Sequence, residues 1–335
     1  MSVIFAQHMH GKKDILSEKA LILATKPFAI EFPAISWMHT ISTLVLLVAA
    51  FSFAIWPSHP AIQLTSGIIA GLFNVRLFVI YHDQQHGAIH RNDKIASAIY
   101  WIYGLFTLAP SSIWKRSHDY HHKHNSKLFT ASIGSYPIMS RIKFEQSSRE
   151  ERKAYLRTRH PLTIALGYFS MFLIGMCVNS FRSSASRHWD SLLALMLHVS
   201  IYIVTLLLFG WISLLCAVII PSLLAYAIGA YLFYAQHNFP GVKFTDKDGW
   251  TYEGAAMESS SYMRMNPFMQ WVCANIGYHH IHHLNAKVPF YRLPDAYHQV
   301  SEFRNAKTTS WKFKDVAACF RLKIWDSEKD MMTSL

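Results

Sequence analysis

Residues 61–87 read AIQLTSGIIAGLFNVRLFVIYHDQQHG, an apolar run that passes without a break into a pair of histidines. Ala61 to Tyr81 is long enough to cross a hydrocarbon layer, which takes roughly 20 residues. His82 and His86 then stand four apart, on one face of the same helix. The first expectation is therefore a membrane stem that ends in metal-competent side chains. Upstream, Ala34 to Trp56 is a second run of spanning length. The uncharged turn Pro57-Ser58-His59-Pro60 joins the two as a hairpin with its tip outside, and Arg76 near the inner end can reach toward the interface.

Composition agrees with that start. The chain has 335 residues, 52% of them hydrophobic, and a mean hydropathy of +0.15, which favours one membrane domain over two soluble ones. Its four cysteines, Cys177, Cys216, Cys273 and Cys319, lie far apart without paired spacing. They suggest buried packing residues rather than a disulfide frame or a thiolate zinc site. The formal net charge of +12 fits the lysine and arginine bias of cytoplasmic membrane loops first, and docking of an acidic electron carrier second. Met1 to Pro33 mixes lysines with acidic residues and has no isolated apolar core, so no cleavable leader is read there and the amino terminus is expected inside.

Where the later histidines fall decides which other apolar runs cross. Ile95 to Trp114 separates two histidine clusters that must meet, so it is expected to lie in or against the inner interface, interrupted near Pro110. Leu162 to Ser180 is flanked by Arg157 and Arg159 on one side and by Arg182 and Arg187 on the other, so both its ends are expected inside. Ser191 to Phe209 and Trp211 to Tyr234, joined at Gly210, form a second hairpin. The expected fold class is all-α and integral to the membrane, with four spanning helices, interfacial helices and a cytoplasmic helical cap carrying the metal site. The expected divisions of this single domain are a cytoplasmic segment 1–33, a hairpin 34–81, an interfacial region 82–190, a hairpin 191–234 and a cytoplasmic region 235–335.

Twenty histidines, most of them clustered, ask for a metal. His118, His121 and His122 stand at offsets zero, three and four, and His279, His282 and His283 repeat those offsets. Recurrence of HxxHH in a chain that also carries HxxxH is a specific signal, whereas HxxxH alone is not. His237, at the inner end of the last spanning run, is a ninth candidate beside His82 and His86. Nine imidazoles exceed the needs of one first-row ion, so two metals are expected. An all-imidazole set suits iron, copper, zinc or nickel and does not choose among them. Asp83 and Asp119 inside the boxes, with Asn238 and Asn275 nearby, are candidate partners behind the ligand rings. His280 and His124 are read as lying outside the ligand set.

The stretches HDQQHG (His82 to Gly87), IWKRSHDYHHKHN (Ile113 to Asn125), YAQHNF (Tyr234 to Phe239) and QWVCANIGYHHIHHLNAKVPFYRLP (Gln270 to Pro294) resemble the membrane fatty-acid desaturase family. Within it they are most like bacterial acyl-lipid desaturases of the delta-12/omega-6 kind. The resemblance implies a non-haem di-iron centre held by the histidines, with molecular oxygen as co-substrate. It implies an acyl-lipid substrate, and electrons from a ferredoxin or a cytochrome b5. A bacterial inner-membrane location with the active site on the cytoplasmic side follows, and no nucleic-acid partner is expected. Trp101, Tyr103, Trp114 and Trp271 are candidates for lining an acyl tunnel. Gln85 and His124 depart from residues frequent in the family, glycine and threonine, without touching a proposed ligand. No His-Pro-Gly-Gly haem motif is present, so the donor is expected to be a separate protein.

Two other readings stay open at this stage. A hydroxylase or ketolase acting on another lipid would use the same boxes. A divalent-metal transporter would need its histidines at the bilayer midplane, not at helix ends.

Overall fold

The computed structural model describes residues 18–128, 136–245 and 249–335. Most of the amino-terminal segment expected on the inner side, residues 1–17, lies outside the described residues.

The fold is mostly helical, and among the described residues three helices are long and apolar enough to cross a membrane: Pro33–Ile55, Pro60–His86 and Trp189–Ala235. Both of the first two begin on proline, whose fixed φ suits the first turn and whose missing N–H is not needed there. At about 1.5 Å per residue, the 27 residues of Pro60–His86 reach about 40 Å, beyond a hydrocarbon core of about 30 Å. The last turns, which carry His82 and His86, therefore have length to project past the apolar layer. Gly87 stops this helix in the left-handed conformation, φ 64°, and its N–H caps the Gln84 carbonyl at 2.8 Å.

The third long element runs 47 residues, with Gly210 at φ 80° and ψ −179° breaking the helical path inside it. On either side of that residue, Ile201 and Tyr202 pack against Leu214, Ala217 and Val218. The second apolar helix meets this element closely. A Cβ on Gly67 would stand 2.0 Å from the Cys216 carbonyl oxygen, a contact that only glycine permits.

The run Ile95 to Trp114 is split near Pro110 as expected, into Lys94–Phe106 and Ser111–His124. Asp93 caps the first piece by accepting from the Ile95 and Ala96 amides at 2.9 and 3.0 Å. Leu162 to Ser180 is also segmented, into Pro161–Ala165 and a wider-wound Tyr168–Asn179, packed on the 220–235 helix.

The all-helical expectation needs amendment beyond the third long helix. Tyr262–Arg264 pairs in parallel with Thr308–Ser310, and Ile324–Asp326 pairs antiparallel with Met331–Thr333. These three-residue strands pair the backbone groups of a region built from short helices and loops, which could not otherwise be buried. All four cysteines are buried and unbridged, in keeping with packing roles. Arg159, expected at a cytoplasmic flank, is instead fully buried. Its guanidinium donates to the Pro137 carbonyl and to Asn238 Oδ1, and lies over the Tyr155 and Tyr234 rings. Hydrogen bonding and ring faces compensate the charge that the surface would otherwise have solvated.

Candidate metal centre

The histidine-bearing helices bring all nine candidate rings together, divided into two groups. His82, His86, His118, His122 and His282 form one, and His121, His237, His279 and His283 form the other. Within each group one nitrogen from every ring lies within 4.8 Å of those of the others. Each HxxHH box serves both groups, because residues four apart share a helical face while their neighbour points about 100° away. The pair His118 and His122 joins the first group and sends His121 to the second. The third box does the reverse, with His279 and His283 in the second group and His282 in the first.

The nitrogens converge. In the first group, Nε2 to Nε2 separations are 2.8 Å for His82 and His118, 3.1 Å for His118 and His122, and 3.1 Å for His122 and His282. In the second, His237 Nε2 stands 3.0 Å from that of His121 and 2.9 Å from that of His279. Burial first, and the neighbouring imidazoles second, push the ring pKa of His118, His121, His122, His279, His282 and His283 well below the ordinary value. Burial also lowers His237 to about 4, against a hydrogen bond to the Ser259 backbone that acts the other way. These seven rings are neutral near pH 7, the state in which imidazole donates a lone pair.

Such a cluster fits a cation. A neutral imidazole has one N–H, so it cannot satisfy several close nitrogens at once. Among the described residues, His86 Nε2 and both nitrogens of His283 are buried with no hydrogen-bond partner. With metal–nitrogen bonds of about 2.1 Å, donors at right angles stand about 3.0 Å apart, and donors at tetrahedral angles about 3.4 Å. The observed spacings match the first, and five rings in one group exceed a tetrahedral site.

Partners behind the rings come from three different segments. Asp83 Oδ1 accepts from His82 Nδ1 at 3.2 Å, while Oδ2 accepts from the Phe290 amide at 2.6 Å. Asn275 Nδ2 donates to the Phe290 carbonyl at 3.1 Å, so it supports the loop that holds Asp83 and touches no ring. Asp119 Oδ1 lies 3.9 Å from His86 Nδ1, and its other oxygen takes the Lys115 ammonium at 3.0 Å. Asn238 is turned away from the rings. Its Nδ2 donates to the Cys319 carbonyl at 2.7 Å and its oxygen accepts from Arg159 at 2.6 Å, which ties the segment after the third long helix to the carboxyl-terminal helix Phe313–Arg321.

His237 is oriented by the Ser259 carbonyl, which accepts from its Nδ1 at 2.9 Å and leaves Nε2 with the lone pair. Sequence reading gave no hint of Ser259 or Phe290, since both act through backbone groups that any residue type would carry. Trp114 stacks flat on His118, with 4.9 Å between centroids and 9° between planes; the four-residue spacing was the available signal. His280 sits among Tyr262, Tyr297 and Phe303, outside both groups, and His124 bonds its own helix at the Tyr120 carbonyl.

An apolar cavity touches both groups, at His82 and His279. Its aromatic lining is Phe78, Phe172, Tyr226 and Phe233, not the expected Trp101, Tyr103, Trp114 and Trp271. Trp101 and Trp271 lie partly on the surface, and Tyr103 acts one step back by bonding Asn74. A tryptophan or tyrosine at an expected position does not reveal which way its ring faces.

Helices long and apolar enough to cross a membrane, leading to two buried histidine clusters that could each hold a metal ion, define the class. The pattern of the fatty acid desaturase family matches residues 58–313, and the chain belongs to that family. It is a fatty acid desaturase, an oxidoreductase, and its histidine clusters are consistent with the metal site typical of the family. Over 329 residues it is 29% identical to a fatty acid desaturase of Bacillus subtilis (strain 168), covering 95% of this chain and 93% of that protein. Similarity to an sn-1 oleoyl-lipid 12-desaturase of Anabaena variabilis is 20% identity over 274 residues, 80% of this chain and 76% of the relative. A chloroplastic omega-6 fatty acid desaturase of Spinacia oleracea shares 22% over 248 residues, 70% of this chain and 53% of the relative.

Proposed function

We propose that the chain introduces a cis double bond into an acyl chain carried on a lipid, at two iron ions held by the five-ring and four-ring groups. The observation that carries the reading is the apolar cavity that meets both groups, at His82 and His279. An unactivated methylene offers no acidic proton, so acid and base side chains are of no use; the iron pair, when bound, supplies oxidation by molecular oxygen. In the balance, oxygen takes two hydrogens from adjacent carbons and two electrons and two protons from the donor side, and leaves as two waters. The protein's own groups hold the reactants. Phe78, Phe172 and Phe233 wall the chain away from water, while Asp83 and the Ser259 carbonyl fix the His82 and His237 rings.

In this reading the membrane is crossed four times. Gly210 divides the third long helix into two passes, and the single domain divides as 1–33, 34–81, 82–190, 191–234 and 235–335. Support comes from both ends of that helix, since Asp190 accepts from Ser112 Oγ at 2.6 Å beside the second box and Ala235 leads to His237. The histidines face the cytoplasm of a bacterial inner membrane, where a ferredoxin or a cytochrome b5 supplies electrons. The relative named for sn-1 oleoyl-lipid desaturation supports a lipid-borne acyl chain.

Lipid analysis of a host expressing the protein tests this, with double bonds located in the fatty-acid methyl esters. New cis-unsaturated chains on intact glycerolipid are expected. Hydroxylated chains with no new unsaturation would move the assignment to a hydroxylase.

A further inference from the structure

The cavity at the histidines has a larger neighbour. The first is about 50 Å³, well under the ~300 Å³ at which ligand pockets usually begin. The second, about 300 Å³, lies between Phe51 and Ile55 of the first apolar helix and Ile201, Thr205 and Ser222 of the third. Asn74 and Tyr226 line both cavities and so form the partition between them.

The two halves of this partition are held differently. The Tyr103 hydroxyl fixes Asn74, 2.7 Å from its Oδ1 and 2.9 Å from its carbonyl oxygen. Among the described residues no hydrogen bond holds the Tyr226 hydroxyl, and its ring rests on Phe172 at 4.5 Å and Tyr168 at 5.4 Å between centroids. Moving Asn74 breaks a buried hydrogen bond, whereas swinging Tyr226 exchanges one apolar contact for another. A methylene chain pushing from the histidine side would replace the aromatic contacts that the ring gives up.

We propose that the larger cavity seats the methyl end of the acyl chain, and that Tyr226 is the movable partition that admits it. The proposal rests on the acyl-desaturase reading above. The length of tail accepted beyond the oxidised carbons is then set by Ser222 and Thr205, remote from the histidines. Three full-length variants separate the claims. Gly229 lines the small cavity, and a Cβ there meets nothing within 4 Å, so Gly229→Leu plugs the passage beside the histidines. Ser222→Phe fills the large cavity, and Tyr226→Ala removes the partition.

Each variant is expressed and quantified in membranes, saturated chains of graded length are supplied, and conversion is read for each length. One methylene more or less in an apolar pocket is worth roughly 10- to 200-fold. Ser222→Phe is therefore expected to lower the long-to-short conversion ratio about 10-fold or more, Tyr226→Ala to raise it, and Gly229→Leu to stop conversion at every length. If Ser222→Phe does not accumulate, Thr205→Leu should give the same fall. A wild-type length profile in both the cavity-filling and Tyr226→Ala variants, with Gly229→Leu inactive, overturns the proposal and leaves the desaturase reading standing. Full activity in Gly229→Leu overturns both.

Discussion

Replacing Asp83 by asparagine tests whether the carboxylate behind His82 sets metal binding. The native side chain offers acceptors in two directions, to His82 Nδ1 and to the Phe290 amide. An asparagine in its place would keep one oxygen and turn an NH2 toward the other donor. A buried donor left without an acceptor costs about 1–3 kcal/mol. At about 1.4 kcal/mol per tenfold, that is roughly 5- to 150-fold in affinity, in the range of about 10- to 100-fold seen for groups behind metal-bound histidines. If the ring responds by accepting from the new amide, its proton moves to Nε2 and the lone pair facing the other rings is lost, with the same direction of effect. The assay is iron bound by the purified protein in detergent at a series of free iron concentrations, followed by turnover at saturating iron. Asp83→Asn should bind iron more weakly while reaching the membrane in normal amount. A variant with unchanged iron affinity and unchanged turnover would refute the reasoning.

Three further outcomes are expected. If the proposed two-iron centre holds, His237→Ala should reduce bound iron from two ions per chain to one, whereas His280→Leu, outside both groups, should keep two; elemental analysis of the pure proteins distinguishes them. Gly67→Ala would place its Cβ 2.0 Å from the Cys216 carbonyl oxygen, and overpacking of about 1–3 kcal/mol should lower the melting temperature in detergent. An unchanged melt would contradict the close helix contact. Arg159→Leu leaves the Pro137 carbonyl and Asn238 Oδ1 without their donor, a cost of about 1–3 kcal/mol each. Stability should fall while iron content is retained, and loss of iron with no change in melting would place Arg159 at the metal centre instead.

Local patterning explains why much of the molecule could be read from the chain. A spanning run is a property of consecutive residues, and so is an i, i+4 pair of histidines. Pro60–His86 and its two rings were therefore legible together. His237 was found by adjacency to the end of an apolar run, and it lies 2.9 Å from His279. Arg159 shows the limit of the same method. With Arg157 it was expected to mark a cytoplasmic flank, yet its guanidinium is enclosed by Tyr155, Tyr234 and Asn238. Charge predicts solvent only until a set of acceptors is assembled from distant segments.

By itself the sequence determined the nine imidazoles that gather into two clusters able to hold metal ions, and the apolar helices that carry them. Those properties are written in residue type and short spacing. Tertiary structure alone decided that the rings divide five and four, with each HxxHH box shared between groups, because that division depends on how three helices are rotated against one another. It also decided that Asp83 is held by Phe290, that Asn238 faces the carboxyl-terminal helix, and that Tyr226 stands between two cavities. Each of these is a contact between segments far apart in the chain, and its direction is set by packing that no local pattern records.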